Sequence, residues 1–166
     1  AGDYLYVSGQ GALAADGTMP RSLPDQVRQT LENVKAIVEA DGLTMEHVVY
    51  TQVYLEDMTK FEEMNRVYAE FFPKAPPARA TLGVADLPAS TPVEINAVAV
   101  RNLAHKHVIG LAGYDAGEPV SPGILTHDRL FVSGMRGREL KTGRIPADAG
   151  AQVELALDGL RAVVEA

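Results

Sequence analysis

Apolar and polar positions along the chain fall into short alternating runs and longer runs at helical spacing. Residues 4 to 8 alternate Leu5 and Val7 against Tyr4 and Tyr6, which predicts a half-buried strand, and Ala15-Asp16-Gly17-Thr18 predicts the turn behind it. A long helix is predicted next, with Ser22 as its cap, Pro24 in its first turn, Val27, Leu31, Val34 and Val38 at helical spacing, and Gly42 ending the run. Val48 to Leu55 alternates again and is rich in Val, Tyr and Thr, so it reads as a strand. Thr59 with Glu62 has the capping-box pattern for a second helix whose apolar face is Phe61, Met64, Val67, Tyr68 and Phe71 and whose stop is Pro73. Arg79 to Ala85 and Val93 to Val100 complete the set as strands. Strand, helix, strand, helix, strand, strand predicts an α+β sheet with both helices on one face, the other face hidden by an oligomer or a tandem partner.

The pattern then starts again. Asp3-Tyr4-Leu5-Tyr6-Val7-Ser8-Gly9 returns as Asp128-Arg129-Leu130-Phe131-Val132-Ser133-Gly134, and the helix segment 31–40 returns as 157–166. The offset is 125 residues before the turn and 126 after it. A period that long marks a duplicated domain, since solenoid repeats recur every ~20–50 residues. The second copy reaches the end of its first helix and holds no counterpart of Arg79 or Glu94. The chain is therefore read as a window on a tandem protein: a first domain over 1–101, a linker over 102–118, and the front half of a second domain over 119–166.

Composition narrows the classes of function. The chain has 166 residues, 46% of them hydrophobic, enough for one good core. A formal charge of −7 without a basic cluster argues against nucleic acid and anionic membrane surfaces as partners. There is no cysteine, which excludes thiolate chemistry and fits a reducing cytoplasm, and no apolar run of spanning length. His105-Lys106-His107 reads as exposed linker in place of a metal site, and His47 as a cap or surface residue. Gly9-Gln10-Gly11 lacks phosphate-binding spacing. Tyr4, Tyr6, Tyr50 and Tyr54 read as core or interface packing.

The informative chemistry is Pro77-Ala78-Arg79 followed by Val93-Glu94-Ile95, which puts a guanidinium and a carboxylate on what read as neighbouring strands. An arginine fork matches both oxygens of a carboxylate, and a glutamate can take or give a proton or orient water. Alternation points Glu94 and Asn96 away from Val93, Ile95 and Ala97. Two readings stand side by side: an Arg79 to Glu94 ion pair tying two strands together, or Arg79 on a substrate carboxylate with Glu94 left for water. Ser8-Gly9, and Ser133-Gly134 after it, end strands where backbone can approach a ligand, or else simply make a tight turn.

These residues resemble a known family. Val7-Ser8-Gly9-Gln10, the helix segment 29–40, Met64-Asn65 with Tyr68 and Phe71-Phe72, Pro77-Ala78-Arg79, Leu87-Pro88 and Val93-Glu94-Ile95 occur in the order found in the RidA/YjgF reactive-intermediate deaminases. The resemblance covers nearly all of 3–101 and again 119–166. It implies a chorismate-mutase-like mixed sheet, a homotrimer or trimer-like arrangement of tandem domains with clefts between subunits, and hydrolysis of 2-aminoacrylate and other small 2-imino acids to 2-keto acids and ammonia without a cofactor. By position it implies that Arg79 clamps the substrate carboxylate, that Glu94 orients or activates water, and that Ser8, Gly9, Ala80 and Thr81 line the cleft, with Ser133 and Gly134 as a wall from the second copy. Thr81 stands where many members have cysteine. The Gly-Pro-Tyr segment of the family is absent before residue 1, and Ser121-Pro122-Gly123 has glycine in place of its tyrosine. A non-catalytic module that binds a small carboxylate is the runner-up; a ribonuclease conflicts with the acidic charge, and a purely structural pairing of tandem domains is the fourth possibility.

Overall fold

The computed structural model describes residues 2–112, 114 and 119–166. Its first unit holds β1 (Tyr4–Gln10), α1 (Leu23–Ala40), β2 (Val48–Leu55), α2 (Phe61–Phe71), β3 (Ala78–Gly83) and β4 (Val93–Val100). The local reasons match the sequence at most ends. Ser22 caps α1, its hydroxyl accepting from the Asp25 amide at 3.3 Å, and Gly42 leaves the helix with φ of 78°. The start of α2 differs. Thr59 lies in a separate 3-10 turn (Met58–Lys60) capped by Asp57, whose carboxylate accepts from both the amide and the hydroxyl of Thr59. With the Thr59 amide already donated to Asp57, the expected capping box with Glu62 does not form and the helix begins at Phe61.

The four strands lie in the order β1-β4-β2-β3. β4 runs antiparallel to both β1 and β2, whereas β3 runs parallel to β2 because α2 carries the chain back across the sheet. Both helices cover one face. Val27, Leu31, Val34 and Val38 of α1 are fully buried there with Met64 and Tyr68 of α2 and Val53, Ile95 and Ala97 of the strands. Each such aliphatic side chain contributes roughly 1.5–3 kcal/mol of burial.

The second unit is a three-stranded antiparallel sheet, β5 (His107–Ile109), β6 (Gly123–Leu125) and β7 (Leu130–Val132), followed by α3 (Ala149–Val164). β5 falls inside the stretch read as linker, and it pairs with β6 through His107 to Leu125 and Ile109 to Gly123. Residues 113 and 115–118 of that stretch lie outside the described residues. Ile124 and Phe131 of this unit pack on the helix-free face of the first sheet, against Tyr4, Val49, Ala78 and Val100. Part of that open face is thus covered within the chain by the second unit. Tyr4 is buried in the joint and donates to Asp128; burial, then the Asp128 carboxylate, push its phenol above the ordinary tyrosine range. Tyr6, farther along the strand, stays 62% exposed.

α3 repeats the sequence of α1 but not its surroundings. Val27, Leu31, Val34 and Val38 are 0% exposed, while their counterparts Val153, Leu157, Leu160 and Val164 are 59%, 56%, 37% and 67% exposed. Helix α3 instead turns Gly159 and Val163 inward, toward Met135 and Gly123. Among the described residues no helix is long and apolar enough to cross a membrane.

Candidate functional site

Arg79 lies on the outer strand of the sheet, in register with Thr51. Both side chains therefore face α2. The Thr51 hydroxyl is 2.7 Å from that of Tyr68, and the Arg79 guanidinium carbon stands 4.5 Å from the Tyr68 ring centroid and 5.7 Å from that of Phe61. Burial pushes the Tyr68 phenol far up, outweighing the opposing pull of Arg79 and of the Thr51 hydrogen bond, so it remains a neutral aromatic surface for the guanidinium. Arg79 itself is 4% exposed, its guanidinium over these two rings.

As an edge strand β3 has backbone groups turned outward, and residues 121–134 of the second unit satisfy several of them. The Arg79 amide donates to the Ser133 hydroxyl at 2.8 Å, the Gly134 amide donates to the Arg79 carbonyl at 3.0 Å, and the Ser121 amide donates to the Pro77 carbonyl at 3.2 Å. Ser133 in turn donates to the Ser121 carbonyl at 2.6 Å. Beside this seam lies a cavity of about 410 Å³, lined by Arg79, Ala80, Thr81 and Gly134 together with Phe61 and Arg136. Five of the residues expected at a site thus meet here: Arg79, Ala80, Thr81 and Gly134 on the cavity, and Ser133 buried behind it.

The other three meet elsewhere. Glu94 is on β4, and β2 runs between β4 and β3, so the two strands that read as neighbours are not adjacent. From the register, in which Arg79 matches Thr51 and Thr51 matches Ala97, their Cα atoms are roughly 14 Å apart, two strand spacings across and three residues along. Their side chains also leave opposite faces, Arg79 toward α2 and Glu94 toward the open face. The expected pairing of Arg79 with Glu94 on neighbouring strands is therefore corrected: β2, second in sequence and inside the sheet, separates the charges.

Glu94 sits instead against Ser8-Gly9. The pairing of β1 with β4 slips between Val7 and Gln10, a bulge at Ser8-Gly9, and a Cβ on Gly9 would lie 2.1 Å from Glu94 Oε1. Only glycine admits the carboxylate this closely. The two equivalent Ser-Gly segments thus have different companions, Glu94 for Ser8-Gly9 and Arg79 for Ser133-Gly134. Sequence reasoning missed the aromatic platform of Phe61 and Tyr68 and the second cation, Arg136. The spacing of Phe61 and Tyr68, two turns apart on the helix before the arginine strand, is a signal that could have found the first.

Comparison with known proteins agrees with this architecture. The sequence profile described as Endoribonuclease L-PSP matches residues 1–101. A RutC family protein of Pyrococcus horikoshii is 41% identical over 103 residues, 61% of this chain and 82% of that protein. The 2-iminobutanoate/2-iminopropanoate deaminase of Escherichia coli is 40% identical over 104 residues, 60% of this chain and 81% of the relative. The crystal structure of the yjgF gene product of E. coli superposes with a TM-score of 0.59 at 40% identity, covering 61% of this chain and 83% of that one. The bulged Ser-Gly strand, the buried arginine on the sheet edge and these matches over the same residues make the chain a member of the Endoribonuclease L-PSP family, the RidA/YjgF/RutC group.

Proposed function

We propose that the chain serves the hydrolysis of small 2-imino acids, or the enamines in equilibrium with them, to 2-keto acids and ammonia. The observation that carries this reading is the pair of equivalent Ser-Gly segments, one with a carboxylate against it and one with an arginine. Laying one segment on the other puts a guanidinium and a carboxylate around a single Ser-Gly. The working site is then composite: a Ser-Gly segment and the glutamate of its own sheet, facing the arginine edge of a neighbouring repeat.

The chemistry asks little of such a site. A protonated imine carbon is already electrophilic, so the arginine need only hold the carboxylate while a water is placed about 3–3.5 Å from that carbon and gives up a proton to the glutamate. Addition of water gives a carbinolamine; return of the proton to nitrogen makes ammonia the leaving group, and as the C–N bond breaks the hydroxyl gives its proton to the glutamate and becomes the carbonyl of the 2-keto acid. Arg79 is suited to the first task because stacking on Tyr68 reduces the freedom its fork has to lose when the ligand arrives. Further repeats, in an oligomer of this chain, would bring a Glu94-type carboxylate to an arginine-bearing edge.

A second reading is favoured by one observation. Within this chain Glu94 does not reach the Arg79 cavity, so the cleft as it stands fits a module that binds a small carboxylate without turning it over. A ribonuclease fits less well, the charge of −7 opposing a phosphate backbone. The deciding experiment follows the decay of enzymatically generated 2-iminopropanoate, and the binding of pyruvate, with the wild type and Arg79→Ala in parallel. Acceleration that vanishes in the variant is expected. Arg79-dependent pyruvate binding without acceleration selects the binding module, and indifference of both signals to Arg79 overturns both readings.

A further inference from the structure

Helix α3 keeps the apolar stripe of α1 and reverses one charge beside it. Glu32, Lys35 and Glu39 have Asp158, Arg161 and Glu165 as their counterparts, each with its sign kept, whereas the counterpart of Arg28 is Glu154. Two of the retained charges pair inside their own helix in both units, Lys35 with Glu32 at 3.5 Å and Arg161 with Asp158 at 3.6 Å. Arg28 instead reaches out of α1 to α2, donating to Glu70 Oε2 at 2.6 Å and to Oε1 at 3.4 Å. The position that changes sign is thus one that in the first unit touches the covering helix.

On α3 that position is open. Val153, Leu157, Leu160 and Val164 form an exposed stripe, and the helix seats on its own unit through Gly159 and Val163. At about 100° per residue Glu154 falls on the far side of the stripe from those two, the side on which Arg28 of α1 meets α2. Glu154 is exposed and among the described residues has no ion-pair partner. From Val153 to Val164 the stripe is roughly 17 Å long at a rise of 1.5 Å per residue, the length of a helix like α2, which has 11 residues. In the first unit Val27 and Leu31 share a buried cluster with Met64 and Tyr68 of α2. A helix of that kind therefore fits α3, and what differs is the charge it meets.

We infer that the exposed face of α3 is a docking surface for an amphipathic helix of the α2 kind, with apolar residues spaced as Phe61, Met64, Tyr68 and Phe71 and a lysine or arginine in the place of Glu70. Charge complementarity at Glu154 selects that helix. The same glutamate discriminates against α2 of the first unit, whose Glu70 would bring a second carboxylate to the rim.

The test uses the intact 166-residue chain and two labelled peptides of residues 57–73, one of native sequence and one carrying Glu70→Lys, followed by fluorescence anisotropy at low salt. The Glu70→Lys peptide is expected to bind about threefold more tightly, the ratio for replacing a like-charge contact by an opposite-charge one at an exposed rim, and the ratio should shrink as salt is added. The peptide substitution also alters the helicity of the peptide itself, so the decisive measurement is the same pair of titrations with Glu154→Arg in the chain, where the order should reverse. Leu157→Asp should abolish binding of both peptides; dichroism confirms that each variant is folded, and the Glu154→Arg titrations stand without it. An order of affinities indifferent to Glu154→Arg overturns the inference, as does binding that survives Leu157→Asp. Failure of both peptides to bind also overturns it, and if the chain then sediments as a dimer that Leu157→Asp dissociates, the occupant of the stripe is a second copy of the chain.

Discussion

Leu31 and Leu157 occupy the same place in the two repeats, and their truncation should have very different costs. Leu31 is 0% exposed under the sheet and α2, whereas Leu157 is 56% exposed on α3. Removing three buried carbons from Leu31 loses their transfer energy and leaves a cavity, together about 2–5 kcal/mol. At Leu157 little apolar surface leaves water on folding, and alanine's higher helix propensity offsets part of that, so the change should stay within about 0.5 kcal/mol. With a urea slope of about 2 kcal/mol/M the midpoint falls by roughly 1–2.5 M for Leu31→Ala and by less than about 0.3 M for Leu157→Ala. Far-ultraviolet dichroism in urea, at two protein concentrations, reads both. Equal losses would refute the reasoning, since they would mean that the α3 stripe is buried in solution as deeply as that of α1.

Three further outcomes are expected. Ser133→Ala removes the acceptor of the buried Arg79 amide and should cost about 1–3 kcal/mol, read as a lower urea midpoint together with faster exchange of the Arg79 amide; unchanged exchange would show that the two copies are not held there. Tyr68→Leu keeps an apolar core but removes the face on which Arg79 stacks, so the affinity for pyruvate should fall several-fold while Leu82→Ala, at the exposed rim, has a smaller effect. Lys106 donates to the Glu46 carbonyl at 2.9 Å, and burial lowers its folded pKa to about 8 from 10.5. Between those values the unfolded chain binds the extra proton, so this group's contribution to stability rises with pH from about 8 to 10.5. Lys106→Met should therefore stabilise the chain below pH 8 and lose that advantage above 10.5, and a stability difference independent of pH would contradict it.

Periodicity carried most of the first unit because each element there has one buried side. Burial alternates residue by residue from Val49 to Leu55 and from Val93 to Ala99, and the observed strands, Val48–Leu55 and Val93–Val100, have the expected bounds. Strand order was not legible, since nothing in the run of Arg79 or of Glu94 says that β2 will lie between them. That omission produced the wrong pairing of charges. The start of α2 was lost to local competition, with the Asp57 carboxylate taking the Thr59 amide that Glu62 would otherwise accept. The likeness of 128–134 to 3–9 drew attention to Ser133-Gly134, and the structure places that segment in hydrogen bonds with the Arg79 backbone. What that likeness could not give was β5, a three-residue strand without alternation long enough to register.

The repeat also says what the Arg79 cavity needs in order to gain a carboxylate. In copy one Glu94 reaches Ser8-Gly9 because β4 pairs antiparallel with β1. In copy two β7 takes the place of β1, with β6 on one side and no strand among the described residues on the other, and the α3 stripe that corresponds to the buried face of α1 lies open. Appending a copy of residues 41–101 after Ala166 would offer β7 an antiparallel strand and α3 a covering helix, and would bring the second Glu94 against Gly134, across the seam from Arg79. Two changes are expected together: a higher urea midpoint with a newly costly Leu157→Ala, and faster decay of 2-iminopropanoate that is lost on changing the appended Glu94 to Gln but not the original one. If the appended segment buries the stripe and the rate still follows the original Glu94, the carboxylate works from Ser8-Gly9 and the composite site is wrongly assigned.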